Sequence, residues 1–243
     1  MDILLLAAGK GTRLKEATQK IPKCLVSIAG KPLIDLILNQ LHKLTAHQKI
    51  WIVGGYGFEE LQKHLSSFSS LKLLENKDYQ KGSILTLATV LPYLKDSLML
   101  LNTDHIFSDV IMNKVLEKVR SFPNSHSFIH IVTDTDRTLI EDDMKVKKKQ
   151  DGSLETMSKT LDHYEEGYIG ISLIPKTKLP IYKACIEKLI QTDQTHLHVE
   201  AVLNQLVSEG EIIHSLNVSG SWWLEVDTPQ DKEKAEKFFT KLP

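Results

Sequence analysis

The order of apolar segments predicts an α/β fold, three layers (α/β/α) built on a mostly parallel mixed sheet. Continuous apolar runs of strand length end at glycine or polar residues, and between them apolar residues recur at three- and four-residue spacing. The two patterns alternate through the first hundred residues, as βαβ units do, which places a ligand site at the carboxyl ends of the strands.

Residues 3–8 form the first apolar run, a buried strand that stops at Gly9. Leu33, Leu36, Ile37, Leu41 and Leu44 then share one helical face after Pro32. Residues 50–53 are a strand before Gly54-Gly55, 58–65 a helix, 71–74 a strand, 84–94 a helix and 98–101 another buried strand, ending at Asn102-Thr103-Asp104. In the second half, 110–119 is helical and 128–132 a strand, while 145–157 alternates around Asp151-Gly152 as a hairpin does. A strand over 167–174 and helices over 179–190 and 199–207 follow. Thr228 as N-cap, Pro229 in the first helical position and Asp231 as the capping-box acid open the last helix. Without a linker, repeat or low-complexity tract, the expectation is one domain over 1–243. Its two halves are 1–107 and 108–243.

A formal net charge of −1 gives no global footprint for nucleic acid, so any polyanion must be met by a few placed cations. Cys24 and Cys185 have neither metal-binding nor disulfide-framework spacing. The opening residues lack the basic flank of a signal peptide, and their apolar run is too short to span a bilayer; a cytoplasmic protein with no membrane insertion is expected.

Leu6-Ala7-Ala8-Gly9-Lys10-Gly11-Thr12-Arg13-Leu14 follows the first strand directly. Small residues there let successive backbone N–H groups approach an anion, which favours phosphate. Neither a third glycine at residue 14 nor a Gly-Lys-Ser/Thr triplet is present, so the dinucleotide and P-loop signatures do not apply.

This loop, followed by Pro22-Lys23-Cys24-Leu25-Val26 and Ala29-Gly30-Lys31-Pro32-Leu33-Ile34, resembles the opening signature of the nucleotidyltransferases that make nucleotide sugars and related activated alcohols. The resemblance implies a GT-A-like nucleotidyltransferase fold with a Rossmann-like nucleotide-binding half. It also implies a glycine loop wrapped around a triphosphate (Leu6, Ala7, Ala8, Gly9, Gly11, Thr12), with Arg13 and Lys23 neutralising phosphates at the reacting centre. The chemistry is consistent with that set. A phosphate monoester is already anionic at neutral pH and needs no general base; charge repulsion is the obstacle, a task for cations and positioned amides.

Such substrates bring Mg2+, which takes one or two carboxylates plus phosphate oxygens and water. By the same resemblance Asp104 is the first metal ligand, with Thr103 standing where the related Gly-Asp-His segment has glycine. Trp222-Trp223-Leu224-Glu225-Val226-Asp227-Thr228-Pro229 is similar to a segment of cytidylyltransferases acting on inositol phosphate or phosphocholine, and it implies Asp227 as the second ligand. Strand alternation puts Glu225 on the same face, able to share or replace that role. Asn76, Gly82 and Ser83 fall where the family reads the base, Lys159 where it binds the acceptor phosphate, and Glu200 is a candidate for acceptor hydroxyls or an amine.

The expectation is transfer of CMP from CTP to a small phosphorylated alcohol with release of pyrophosphate. The candidate acceptors are inositol phosphate, a sugar phosphate, phosphocholine or a phosphonate. Uridylyl or guanylyl transfer to a sugar phosphate is the alternative within the chemistry. A noncatalytic nucleotide-binding regulator and a glycosyltransferase are the others, although the latter usually carries Asp-x-Asp where this chain has Asn102-Thr103-Asp104.

Overall fold

The computed structural model describes residues 1–44, 48–68, 70–122 and 127–241, the side chain of Leu44 excepted. In chain order the first half comprises β1 (Asp2–Ala7), a hairpin of β2 (Ser27–Ile28) and β3 (Lys31–Pro32), α1 (Leu33–Leu44), β4 (Lys49–Gly54), α2 (Phe58–Leu65), β5 (Leu71–Glu75), α3 (Ser83–Val90), β6 (Leu98–Asn102) and β7 (His105–Phe107). The second half comprises α4 (Asp109–Arg120), β8 (Ile129–Asp134), β9 (Lys145–Lys148), β10 (Leu154–Ser158), β11 (Glu166–Ile174), α5 (Leu179–Gln191), α6 (Ala201–Ser208), β12 (Ile213–Asn217), β13 (Trp223–Glu225) and α7 (Pro229–Lys241).

One central sheet joins the two halves. It is parallel through β5, β4, β1 and β6 and turns antiparallel where β11 pairs with β6. From there β11 pairs with β9 and β8, β9 with β10, and β8 in parallel with β12. The α/β fold with a mixed sheet is therefore present; its four-strand parallel run lies within residues 1–107, and β8 with β12 adds a separate parallel pair in the second half.

The three layers follow from strand alternation. Leu4 of β1 faces a core built with Ile84, Leu87 and Val90 of α3, Tyr182 and Ile186 of α5 and Leu203 of α6. Ile3 and Leu5 face the opposite core, with Ile34 and Leu38 of α1, Leu61 of α2 and Ile111 and Val115 of α4. Both sides of β1 are thus covered, which is why the strand is apolar throughout.

Several boundaries move. The helix expected over 84–94 is α-helical only to Val90, because Pro92 allows no more than a 3-10 turn over Leu91–Tyr93. Val199 and Glu200 precede α6 instead of lying within it. The last helix begins with the expected capping box: Thr228 N donates to Asp231 Oδ2 at 3.0 Å, and Asp231 N donates to Thr228 Oγ1 at 3.2 Å. Among the described residues no helix is long and apolar enough to cross a membrane.

Candidate active site

The site forms where β1 and β6, neighbours in the parallel sheet, both end. Gly11 adopts φ +66°, and a Cβ there would lie 2.8 Å from Lys23 Cβ; glycine lets the lysine stem cross the loop. The chain turns through 3-10 segments at Thr12–Thr18 and Lys23–Leu25, and Thr18 Oγ1 holds the Gly11 carbonyl at 2.8 Å. Lys23 thereby points back over the strand ends.

Its Nζ donates to Asp104 Oδ2 at 2.6 Å and to Asp227 Oδ1 at 2.5 Å. Asp104 sits in the turn between β6 and β7. β7 pairs with β13, and Val226 N donates to the Asp104 carbonyl at 2.8 Å, so Asp227 arrives beside Asp104. Arg13 pairs with Asp227 and with Asp142, and Lys159 Nζ donates to the same Asp142 at 2.7 Å.

Asp104 has a second support. His105 Nδ1 lies 2.7 Å from Asp104 Oδ1, and the imidazole is stacked between Trp223 and Phe107. Gly170, at φ +79°, leaves room for the ring: a Cβ would meet it at 3.1 Å. Trp223 Nε1 donates to Asp134 Oδ2 at 3.1 Å, and Arg137 lies over the indole while reaching Glu225 Oε2 at 3.4 Å. Glu225 is committed to Arg137, and it is Asp227 that reaches Lys23.

Burial opposes charge in this cluster, and the partners outweigh it. Burial would raise the Asp104 pKa, but Lys23 and His105 hold the carboxyl well below the ordinary range. Burial would lower the Lys23 pKa, but the two aspartates hold it above the ordinary value. Burial also pushes the Glu200 carboxyl up.

A cavity of about 360 Å3 opens over the loop, lined by Leu6, Ala8, Gly9, Gly11, Thr12, Arg13, Lys23, Ser83, Thr103, Asp104, Glu200 and Asp227 among others. A second, of about 200 Å3, adjoins it across Arg13, Lys23, Asp104, Glu200 and Asp227 and adds Asp142, Asp143, Lys159 and Glu225. Three of the expected residues do not face either space. Ala7 turns into the core on the far side of β1. Asn76, 4% exposed, is spent on internal hydrogen bonds to Thr86 Oγ1 and from Asp78 N. Gly82 packs against the backbone of Thr195.

Ser83 does line the first cavity, while its Oγ also accepts from Val199 N at 3.0 Å. Thr103, where related segments have glycine, donates its Oγ1 to the Leu6 carbonyl at 2.7 Å and ties the ends of β1 and β6 together. Tyr79, Thr86, His198 and Asp142 line the cavities without having been expected there. Only Thr86 carries a sequence signal, a polar side chain on the same helix face as Val90.

Two carboxylates meeting at one point beside the glycine loop suit Mg2+, which completes its shell with water and other oxygens. Among the described residues no group of three or more His, Cys, Asp or Glu could hold a metal ion, so no cage made wholly of protein ligands is built there.

The fold and this strand-end constellation define the class: an α/β domain of the nucleoside-triphosphate-using transferase type. The chain belongs to the family of the MobA-like NTP transferase domain, which matches residues 3–171. It is 25% identical over 240 residues to the bifunctional protein GlmU of Methanococcus maripaludis strain C5, covering 98% of this chain and 54% of that protein. It thus spans about half the length of that relative. It is 26% identical over 242 residues to the UTP–glucose-1-phosphate uridylyltransferase AglF of Haloferax volcanii, covering 98% and 96% of the two chains. Among solved structures, the inositol-1-phosphate CTP transferase from T. maritima superposes with TM-score 0.81 at 21% identity, over 100% of this chain and 97% of the other. The CTP:phosphocholine cytidylyltransferase LicC of Streptococcus pneumoniae gives TM-score 0.78 at 20% identity, over 98% of both chains.

Proposed function

We propose that this chain transfers a nucleoside monophosphate, CMP from CTP, to a small phosphorylated alcohol and releases pyrophosphate. The observation that carries the reading is the convergence of Lys23 with Asp104 and Asp227 beside the glycine loop. An acceptor phosphate oxygen attacks the α-phosphorus in line, the bond from that phosphorus to the bridging oxygen breaks, and its electrons leave with pyrophosphate.

Each group has a task in that step. Backbone amides of the loop at Gly9, Gly11 and Thr12 approach the triphosphate, and Arg13 and Lys23 neutralise it. Asp104 and Asp227 are the carboxylates that would hold Mg2+, which when bound supplies positive charge to the phosphate oxygens. Ser83 and Thr103 border the nucleoside, Lys159 binds the acceptor phosphate, and Glu200 binds an acceptor hydroxyl or amine. On this reading 1–243 acts as one domain whose two halves bring nucleotide and acceptor together.

The experiment is pyrophosphate release with CTP, UTP, GTP and ATP, with Mg2+, against a panel of phosphorylated acceptors. CTP with one acceptor should turn over fastest, and Lys23→Ala and Asp104→Ala should each lower kcat by about 100-fold or more while the fold is retained. Turnover close to wild type in both variants would sink the assignment. Uridylyl transfer is the second reading, favoured by AglF, a relative named for UTP that this chain matches over nearly its full length.

A further inference from the structure

We propose that Thr86 is a fixed hydrogen-bond donor to the nucleobase, reading a ring nitrogen lone pair or a carbonyl oxygen; this rests on the nucleotide-site reading above. Thr86 lies in the first turns of α3, lines the cavity over the glycine loop, and is only 3% exposed. A hydroxyl can ordinarily both donate and accept, rotating to suit its partner. Here the choice is made by its neighbours.

Asn76 Oδ1 accepts from the backbone N–H of Asp78 at 2.9 Å, and that N–H can only donate. The amide of Asn76 is therefore oriented with Nδ2 toward Thr86, at 3.0 Å from Oγ1. An amide NH2 has no lone pair to offer, so Thr86 Oγ1 must accept and its own proton must point elsewhere. Thr89, one turn on, donates to the Leu85 carbonyl at 2.9 Å. Among the described residues no acceptor takes the Thr86 proton in that way.

A buried donor without an acceptor is costly unless a ligand supplies one. The ligand atom that satisfies it is an acceptor on the base edge, and an exocyclic amine or ring N–H in that position is rejected. Cytosine presents two adjacent acceptors, N3 and O2, whereas N3 of uracil carries a proton. Asn76 acts at one remove, as the residue that fixes the polarity of Thr86.

The test uses the full chain with Thr86→Val, Thr86→Ser and Asn76→Asp. Titrations of the preferred nucleoside triphosphate and of inorganic tripolyphosphate are followed by calorimetry, with KM and kcat from pyrophosphate release. Thr86→Val, nearly isosteric, should weaken the triphosphate about 10- to 100-fold through KM and leave tripolyphosphate binding unchanged. Thr86→Ser keeps the hydroxyl and should stay within about threefold. Asn76→Asp turns the partner into an acceptor, draws the Thr86 proton away from the cavity, and should reproduce the Val defect with Thr86 intact. Unchanged nucleotide affinity in Thr86→Val or in Asn76→Asp would overturn the donor role while leaving nucleotidyl transfer standing. A wild-type protein that binds tripolyphosphate and every nucleoside triphosphate equally would overturn the base reading and the nucleotide reading together.

Discussion

Gly82→Ala tests how the two sides of the cavity are held at their separation. Gly82 has φ +129° and ψ 159°, a region open in practice to glycine alone, and a Cβ there would stand 1.7 Å from the Thr195 carbonyl oxygen. Ordinary contact needs about 3.4 Å, so the 195–200 segment or the start of α3 must retreat by about 1.7 Å. That segment carries His198, Val199 and Glu200, all of which line the cavity, and it is tied to α3 by the hydrogen bond from Val199 N to Ser83 Oγ. The backbone conformation costs about 1–3 kcal/mol for alanine, and loss of the Ser83 bond adds about 1 kcal/mol. At this chain length a total of roughly 2–4 kcal/mol lowers Tm by about 5–15 °C.

The functional effect should exceed the thermal one, because a misplacement near 1 Å at a reacting centre costs about 100-fold in rate. Thermal unfolding and pyrophosphate-release kinetics should be measured beside Gly152→Ala. Gly152 also has positive φ, at +81°, but nothing lies within 4 Å of the Cβ it would gain. The control should lose about 1 kcal/mol and keep its kinetics. If Gly82→Ala melts and turns over like the control, the collision with Thr195 does not govern the site.

Asp142→Asn removes the carboxylate shared by Arg13 and Lys159 and should tighten inorganic pyrophosphate binding about threefold to tenfold by calorimetry; weaker binding would show that Asp142 organises these cations instead of competing for them. Burial, aided by Lys118 and His214, lowers the His130 pKa from 6.5 to about 4, so the unfolded chain binds the extra proton between those values and stability rises with pH across that window. Acidification from pH 7 to pH 4 should remove about 3 kcal/mol through this group, and urea titrations of His130→Gln should show a correspondingly shallower pH slope.

The parallel half of the sheet was legible because β1, β4 and β6 are buried on both faces and so are written as unbroken apolar runs. The strand β12, Ile-His-Ser-Leu-Asn, lies beside β8 with mostly half-buried residues and shows no such run. The ribbon of β7 and β13 has three residues per strand, too few for any period to register. The glycine loop and the carboxylate segments were legible as local strings. Where Gly82 would face was not, since that depends on the 195–200 segment folding back more than a hundred residues later, and Asn76 is turned inward by its hydrogen bonds with Thr86 and Asp78. Glu141-Asp142-Asp143 reads as a solvated acidic turn, and its contact with Arg13 exists only in three dimensions.

That contact belongs to a wider pattern. Each cation assigned to a phosphate already holds a carboxylate: Lys23 holds Asp104 and Asp227, Arg13 holds Asp227 and Asp142, and Lys159 holds Asp142. Phosphate binding at such a site is an exchange of anions, so its net gain is smaller than the number of cations suggests. On the proposed reading the exchange would also release Asp104 and Asp227 from Lys23 as a phosphate takes their place. Two freed carboxylates beside a polyphosphate are the ligand set Mg2+ prefers, so arrival of the nucleotide would complete the metal site. On that reading a chain with net charge −1 would bind a polyanion through cations kept in internal pairs until the substrate separates them.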